Sequence, residues 1–122
     1  MTIVYLDGQF VGKSEAKVSV DDRGFLLGDG VYEVIPFYSG VPFGLDRHLE
    51  RLRRGLGWIR IAFDVPSLVT ICHDLLEKNG LKETDRSLVY LQVTRGAAAR
   101  THYFPATTVV PTVYAYAAPW NR

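Results

Sequence analysis

Arg51, Arg100 and His102 are the side chains best equipped to bind a charged ligand. Arg51 lies one turn into a helical pattern that follows a strand-like run. A guanidinium is permanently charged, and its rigid donors match phosphate oxygens, so Arg51 could anchor a phosphate. Equally, Arg47, Arg51 and Arg54 form the polar face of an amphipathic helix, where arginines are commonly solvated. Arg100 and His102 are two residues apart. On an extended segment they project to one side, where a fork and a ring N–H could hold one carboxylate; the alternative is a pair of solvated loop residues. Asp29, between Gly28 and Gly30, is not part of a phosphate loop, because the lysine and the spacing are missing. Those glycines instead allow a tight turn with φ > 0 into the next strand. Arg23 braces that turn, and Glu33 faces away from Tyr32 without a role.

Other chemistry finds little support. Lys13, Lys17, Lys78 and Lys82 sit at element ends in surface-like settings, and none has the desolvated surroundings that depress an amine pKa. Three scattered histidines and one cysteine show no metal-ligand spacing, and no nucleophile elbow accompanies them.

The elements that would position these residues follow from patterning. Ile3 to Leu6, an Asp7-Gly8 turn and Gln9 to Val11 form a hairpin. Lys17 to Val20 alternates as a short strand does. Val31 to Tyr38 is a strand in which Pro36 must face an edge or a bulge. A turn at Ser39-Gly40 leads into Val41 to Leu45. Asp46 caps a helix whose apolar stripe is Leu45, Leu49, Leu52, Leu56 and Ile59. A second helix follows Pro66-Ser67, turns Leu68, Ile71, Cys72, Leu75 and Leu76 inward, and ends at Asn79-Gly80. Leu88 to Thr94 and Thr108 to Tyr116 are strands. The order predicts an α+β fold, two helices packed against a mostly antiparallel sheet.

Composition bounds the partners. With 122 residues, 48% apolar and 22% charged, the chain reads as one domain with an ordinary core. Fourteen basic against thirteen acidic side chains give a net charge of +1, so nothing electrostatic points to nucleic acid or a membrane surface. No segment reaches the roughly 18 apolar residues of a membrane span. Cys72 reads as a buried, inert thiol, and a cytoplasmic location is expected.

Three segments together resemble the fold-type IV pyridoxal-phosphate (PLP) aminotransferases. They are Asp22-Arg23-Gly24-Phe25-Leu26-Leu27-Gly28-Asp29-Gly30-Val31-Tyr32-Glu33-Val34, then His48-Leu49-Glu50-Arg51-Leu52, then Thr94-Arg95-Gly96 with Arg100-Thr101-His102. The last is similar to the D-amino-acid branch. The resemblance implies the small N-terminal domain of that fold over residues 1–122. It also implies that Arg51 holds the PLP phosphate and that Tyr32, Arg100 and His102 hold the substrate α-carboxylate. The Arg100/His102 loop would reach the neighbouring subunit of a homodimer. The substrates implied are an amino acid, D in configuration, and a 2-oxo acid. No catalytic lysine is expected within the chain, since the family carries it in a second, larger domain; the 122 residues alone would be inactive. Branched-chain transamination and aminodeoxychorismate lyase activity are the alternatives within the family. A non-catalytic domain that dimerises or binds a phosphorylated ligand through Arg51 is the alternative outside it.

Overall fold

A computed structural model describes residues 1–120. Six strands form one antiparallel sheet: β1 (Ile3–Leu6), β2 (Gln9–Gly12), β3 (Gly30–Tyr38), β4 (Val41–Pro42), β5 (Arg86–Thr94) and β6 (Thr112–Pro119), in the spatial order β2-β1-β6-β5-β3-β4. A short helix α1 (Arg23–Leu27) precedes β3, and the two longer helices, α2 (Leu45–Trp58) and α3 (Leu68–Lys78), pack on one sheet face. The α+β expectation holds.

Alternation along the strands decides the two faces. Glu33, Ile35 and Phe37 of β3 and Val89, Leu91 and Val93 of β5 are buried beneath the helices. The stripe Leu49, Leu52 and Leu56 of α2 meets them, joined by Leu68, Cys72, Leu75 and Leu76 of α3. Each such leucine removed from water contributes about 1.5–3 kcal/mol. Gly55 lets α2 approach closely, since a Cβ there would press on Val31 at 3.1 Å. Burial pushes the Cys72 thiol up to about 12, which leaves it inert. The opposite face is aromatic, and α1 covers only its end, where a Cβ on Gly24 would overlap the Thr94 side chain. Tyr32 stacks on Tyr90 at 5.7 Å, and Tyr90 on Tyr116 at 5.2 Å.

Local chemistry sets the connections. The hairpin turn has positive φ at both Asp7 and Gly8, as the strand twist requires. Asn79 ends α3 and also pairs with Ile3, donating to its carbonyl and accepting from its N–H, both at 2.9 Å. Pro36 pairs opposite Leu88 of β5, while its carbonyl accepts from the Phe43 N–H on the β4 side. Its missing donor therefore turns toward the short edge strand, as expected for proline.

Four readings of the sequence need correction. Lys17 to Val20 is not a strand: only an isolated Asp22–Ala97 bridge forms nearby, and Val18 and Val20 stay exposed. Ahead of the turn at Gly28 to Gly30, residues 23–27 form a helix that patterning left out, with the Asp22 side chain accepting from the Gly24 N–H as N-cap and Gly28 closing the end at φ 66°. Gly44, not Asp46, is the N-cap of α2, because its φ of 71° turns the chain directly into Leu45; Asp46 lies in the first turn. The last strand begins at Thr112, not Thr108.

Gly96, just after β5, has φ 102°, and a Cβ there would overlap the Val110 carbonyl oxygen. Gly96→Ala is expected to cost about 3 kcal/mol by combined strain and overpacking. A urea midpoint unchanged from the parent would show that the 96–110 contact is dispensable.

Candidate functional site

Gly30 begins β3 and Thr94 ends β5 opposite it, so the first residues of β3, among them Tyr32, and the β5–β6 loop that carries Arg100 and His102 lie at one end of the sheet. β4 pairs only with Phe37 and Tyr38, so the β3 edge from Gly30 to Ile35 is open on that side. Here α2 reaches over from the helix layer. Arg51 Nε donates to Glu33 Oε2 and Arg51 Nη2 to Glu33 Oε1, each at 2.7 Å, and His48 Nδ1 lies 2.6 Å from Glu33 Oε1. The Glu33 side chain is 4% exposed and that of Arg51 66%. A buried carboxylate thus grips one edge of an exposed guanidinium and fixes its rotamer. Among the described residues Nη1 has no partner, so the outer edge is free to receive an anion. Arg47, Arg51 and Arg54 line an open cleft of about 510 Å³ on this flank.

Burial alone would raise the Glu33 carboxyl, but hydrogen bonds from Arg51 and His48 and their charges outweigh it and hold the group below the usual carboxylate range. The hydrogen bond and charge of Glu33 raise Arg51 in turn, with a smaller contribution from Tyr32. Tyr32 lies on the other face of β3, exposed to solvent. Arg51 and Tyr32 therefore straddle the open edge rather than touch.

Arg100 and His102 lie on the loop from β5 to β6, both exposed and without a side-chain hydrogen bond among the described residues. Among the described residues of one chain no hydrogen bond or ion pair links them to Tyr32 or Arg51. Their loop is pinned from beneath by a buried cluster. Asp29 Oδ2 accepts from Arg23 Nε at 2.8 Å and from Arg95 Nε at 2.7 Å, with all three side chains 8% exposed or less. Arg95 also donates to the Ile59 carbonyl at the end of α2 and stacks over Phe104 at 4.2 Å.

A family profile for amino-transferase class IV matches residues 30–122. The chain belongs to that family. Over its whole length this class IV chain is 38% identical to a D-alanine aminotransferase of Staphylococcus haemolyticus, covering 43% of that protein. It is 39% identical to the one of Bacillus licheniformis over 98% of the chain and 41% of the relative. It thus spans about two fifths of these relatives' length. A 4-amino-4-deoxychorismate lyase structure from Pseudomonas aeruginosa superposes with a TM-score of 0.74 at 30% identity, covering 95% of this chain and 39% of that one. The branched-chain aminotransferase of the archaeon Thermoproteus uzoniensis, solved with norvaline, gives 0.81 at 25%, covering 99% and 41%. The Escherichia coli branched-chain enzyme gives 0.87 at 24%, covering 98% and 41%, and shares the fold.

Sequence reasoning left Glu33, His48, Asp29 and Arg95 without roles. Glu33 was detectable in principle. A carboxylate at a core-facing strand position, in step with Ile35 and Phe37, must find a cation. His48 and Arg51, three apart on one helix face, were the available partners.

The electrostatics give an acid-stability prediction for the class IV fold. Burial would raise Asp29, yet the hydrogen bonds and charges of Arg95 and Arg23 hold it below its ordinary value. Asp29 and Glu33 thus have folded-state pKa values below their unfolded ones, about 4. Their stabilisation is complete above that range and drains as pH falls through the depressed values. The urea midpoint should stay flat down to about pH 5 and fall below about pH 4. A midpoint level down to about pH 2.5 contradicts the carboxylate assignment.

Proposed function

We propose that this chain is the N-terminal part of a PLP-dependent aminotransferase that moves an amino group between a D-amino acid and a 2-oxo acid. The observation that carries the reading is the pairing of two exposed cationic features at one sheet end. Arg51 is clamped by Glu33 with its outer edge free, and Arg100 and His102 stand unpartnered on a pinned loop. The relatives named D-alanine aminotransferase support the D configuration and make D-alanine the first substrate to test.

The residues present suit a phosphorylated cofactor. PLP, when bound, supplies the electron sink that amino transfer needs. Arg51 would hold its phosphate through Nη1 and the remaining Nη2 proton, while Glu33 keeps the guanidinium from swinging away. Tyr32 would stand on the other side of the open edge with its phenol toward the substrate. Arg100 and His102 would hold the α-carboxylate by charge and hydrogen bond, so that the amino group is presented in one orientation. The lysine that exchanges with the substrate amine, and the acid facing the pyridine nitrogen, would come from sequence outside these residues, since Lys13, Lys17, Lys78 and Lys82 are all exposed and far from a desolvated setting.

A homodimer belongs to the same proposal. Among the described residues Arg100 and His102 find no side-chain partner within their own chain, and a second copy would bring them to its site. A cytoplasmic location fits the lone inert thiol.

The test is amino transfer by the protein as its gene encodes it, from D-alanine, from L-leucine and from aminodeoxychorismate. D-alanine is expected to give the highest kcat/KM. Arg100→Ala is expected to raise the KM for D-alanine by about 10- to 100-fold, the value of one or two charge-assisted contacts, with kcat changed less. Preferential turnover of L-leucine would move the reading to the branched-chain enzymes, and release of pyruvate from aminodeoxychorismate to the lyases.

A further inference from the structure

The buried guanidinium of Arg23 spends its donors on the loop that carries Arg100 and His102. Nη1 donates to the Ala99 carbonyl at 2.8 Å and to the carbonyl and Oγ1 of Thr101 at 3.3 and 3.2 Å. Nη2 donates to the Tyr103 carbonyl at 3.2 Å, and Nε to Asp29. Thr101 Oγ1 in turn donates to the Tyr103 carbonyl at 2.8 Å. Three alternate carbonyls, those of residues 99, 101 and 103, therefore converge on one side chain that is 3% exposed. A segment held this way wraps its carbonyls around the cation. The residues between the held ones, Arg100 and His102, are left with exposed side chains.

The anchor of this grip is shared with the phosphate side. Asp29 binds Arg23 and Arg95 together, and Arg95 reaches the carbonyls of Ile59 and Arg60 at the end of α2, the helix that bears Arg51. A continuous chain of charge-assisted bonds runs from α2 through Arg95, Asp29 and Arg23 to the loop. Such bonds are the stronger class, and with every acceptor occupied the arrangement has little freedom to slide.

We propose that Arg23 is a positioning residue for substrate capture: it sets the spacing and direction of the Arg100/His102 pair and thereby the affinity for the substrate carboxylate. This rests on the aminotransferase reading above. Arg23 itself touches no substrate; it acts through the loop backbone. A lysine in its place would keep the charge opposite Asp29 but lose the fork that reaches three carbonyls.

The experiment compares Arg23→Lys, Arg100→Ala and the double variant in the protein as its gene encodes it, by steady-state kinetics with D-alanine and by amide hydrogen exchange over residues 97–104. Arg23→Lys is expected to raise the KM for D-alanine about tenfold with kcat within about twofold, to leave PLP affinity unchanged, and to speed exchange in the loop. Added to Arg100→Ala, it should raise KM little further, because its effect runs through that residue. Unchanged loop exchange, or KM effects that multiply in the double variant, would overturn the proposal. If Arg100→Ala alone leaves KM unaltered, the carboxylate reading fails instead, and loop exchange still reports whether Arg23 holds the segment. Should Arg23→Lys not fold, Thr101→Val removes one acceptor of the fork without altering any charge. It is expected to raise KM about threefold and to speed exchange at residues 101–103, and no change in either measurement would sink the inference.

Discussion

Asp29→Ala is expected to destabilise the protein by about 3–5 kcal/mol, the largest single effect predicted for this chain. Asp29 is the one carboxylate between two buried guanidinium groups, at 2.8 Å from Arg23 and 2.7 Å from Arg95. Its removal leaves two positive charges near each other and away from water, held only by backbone carbonyls, the Thr101 hydroxyl and the Phe104 ring. A folded domain is typically stable by about 5–15 kcal/mol, so a large share would be lost. Asp29→Asn keeps the shape and an acceptor oxygen but not the charge, and should cost less, about 2 kcal/mol. Urea unfolding at pH 7 measures both. A cost below about 1 kcal/mol for Asp29→Ala would mean that solvent reaches the cluster and that it does not brace the loop.

The second large effect is on cofactor retention. Arg51→Ala should weaken PLP binding to the protein as its gene encodes it by about 100-fold, two charge-assisted hydrogen bonds at about 1.5 kcal/mol each. Arg51→Lys restores the charge as a point without the fork and should recover only part of the loss. Glu33→Gln tests the clamp. It keeps an acceptor for Arg51 but removes the charge that fixes the guanidinium, so PLP affinity is expected to fall about fivefold. Titration followed by cofactor absorbance, with inorganic phosphate as competitor, reads all three. An affinity for Arg51→Ala within threefold of the parent's would remove Arg51 as the phosphate anchor.

What could be read from the chain beforehand was local. The leucine stripe of α2, the apolar run of β3 and the Asp7-Gly8 turn are each legible in a few neighbouring residues, and each formed within a residue or two of its expected place. Lys17 to Val20 alternates, but alternation says only that one face wants burial, not that a neighbouring strand is available. α1 is five residues long, too short for any period to show, although its caps Asp22 and Gly28 were in plain view.

The candidate site divides along the same line. Arg51, Tyr32, Arg100 and His102 were named through motifs. The groups that hold them in place were not, since Arg95 and Asp29 are 66 residues apart and Arg23 and Thr101 78. Such pairs exist only once the sheet has brought Gly30 beside Thr94. Glu33 lies between the two cases: it is in step with Ile35 and Phe37 along one strand, and a carboxylate on a strand face that becomes buried needs a cation.

The unbroken ladder of β3 has a consequence for how lineages of this protein can change length. All nine of its residues pair with β5, and Tyr32 and Glu33, adjacent in sequence, serve opposite faces. One inserted residue ahead of them within the strand would exchange their sides, sending the phenol under α2 and the carboxylate out among the tyrosines, and Arg51 would lose its clamp. Insertions and deletions should therefore collect in the β1–β2 turn and in the stretch between Phe104 and Val110. Gaps are expected to be missing from Gly30 to Tyr38, even in descendants whose individual residues have diverged beyond recognition.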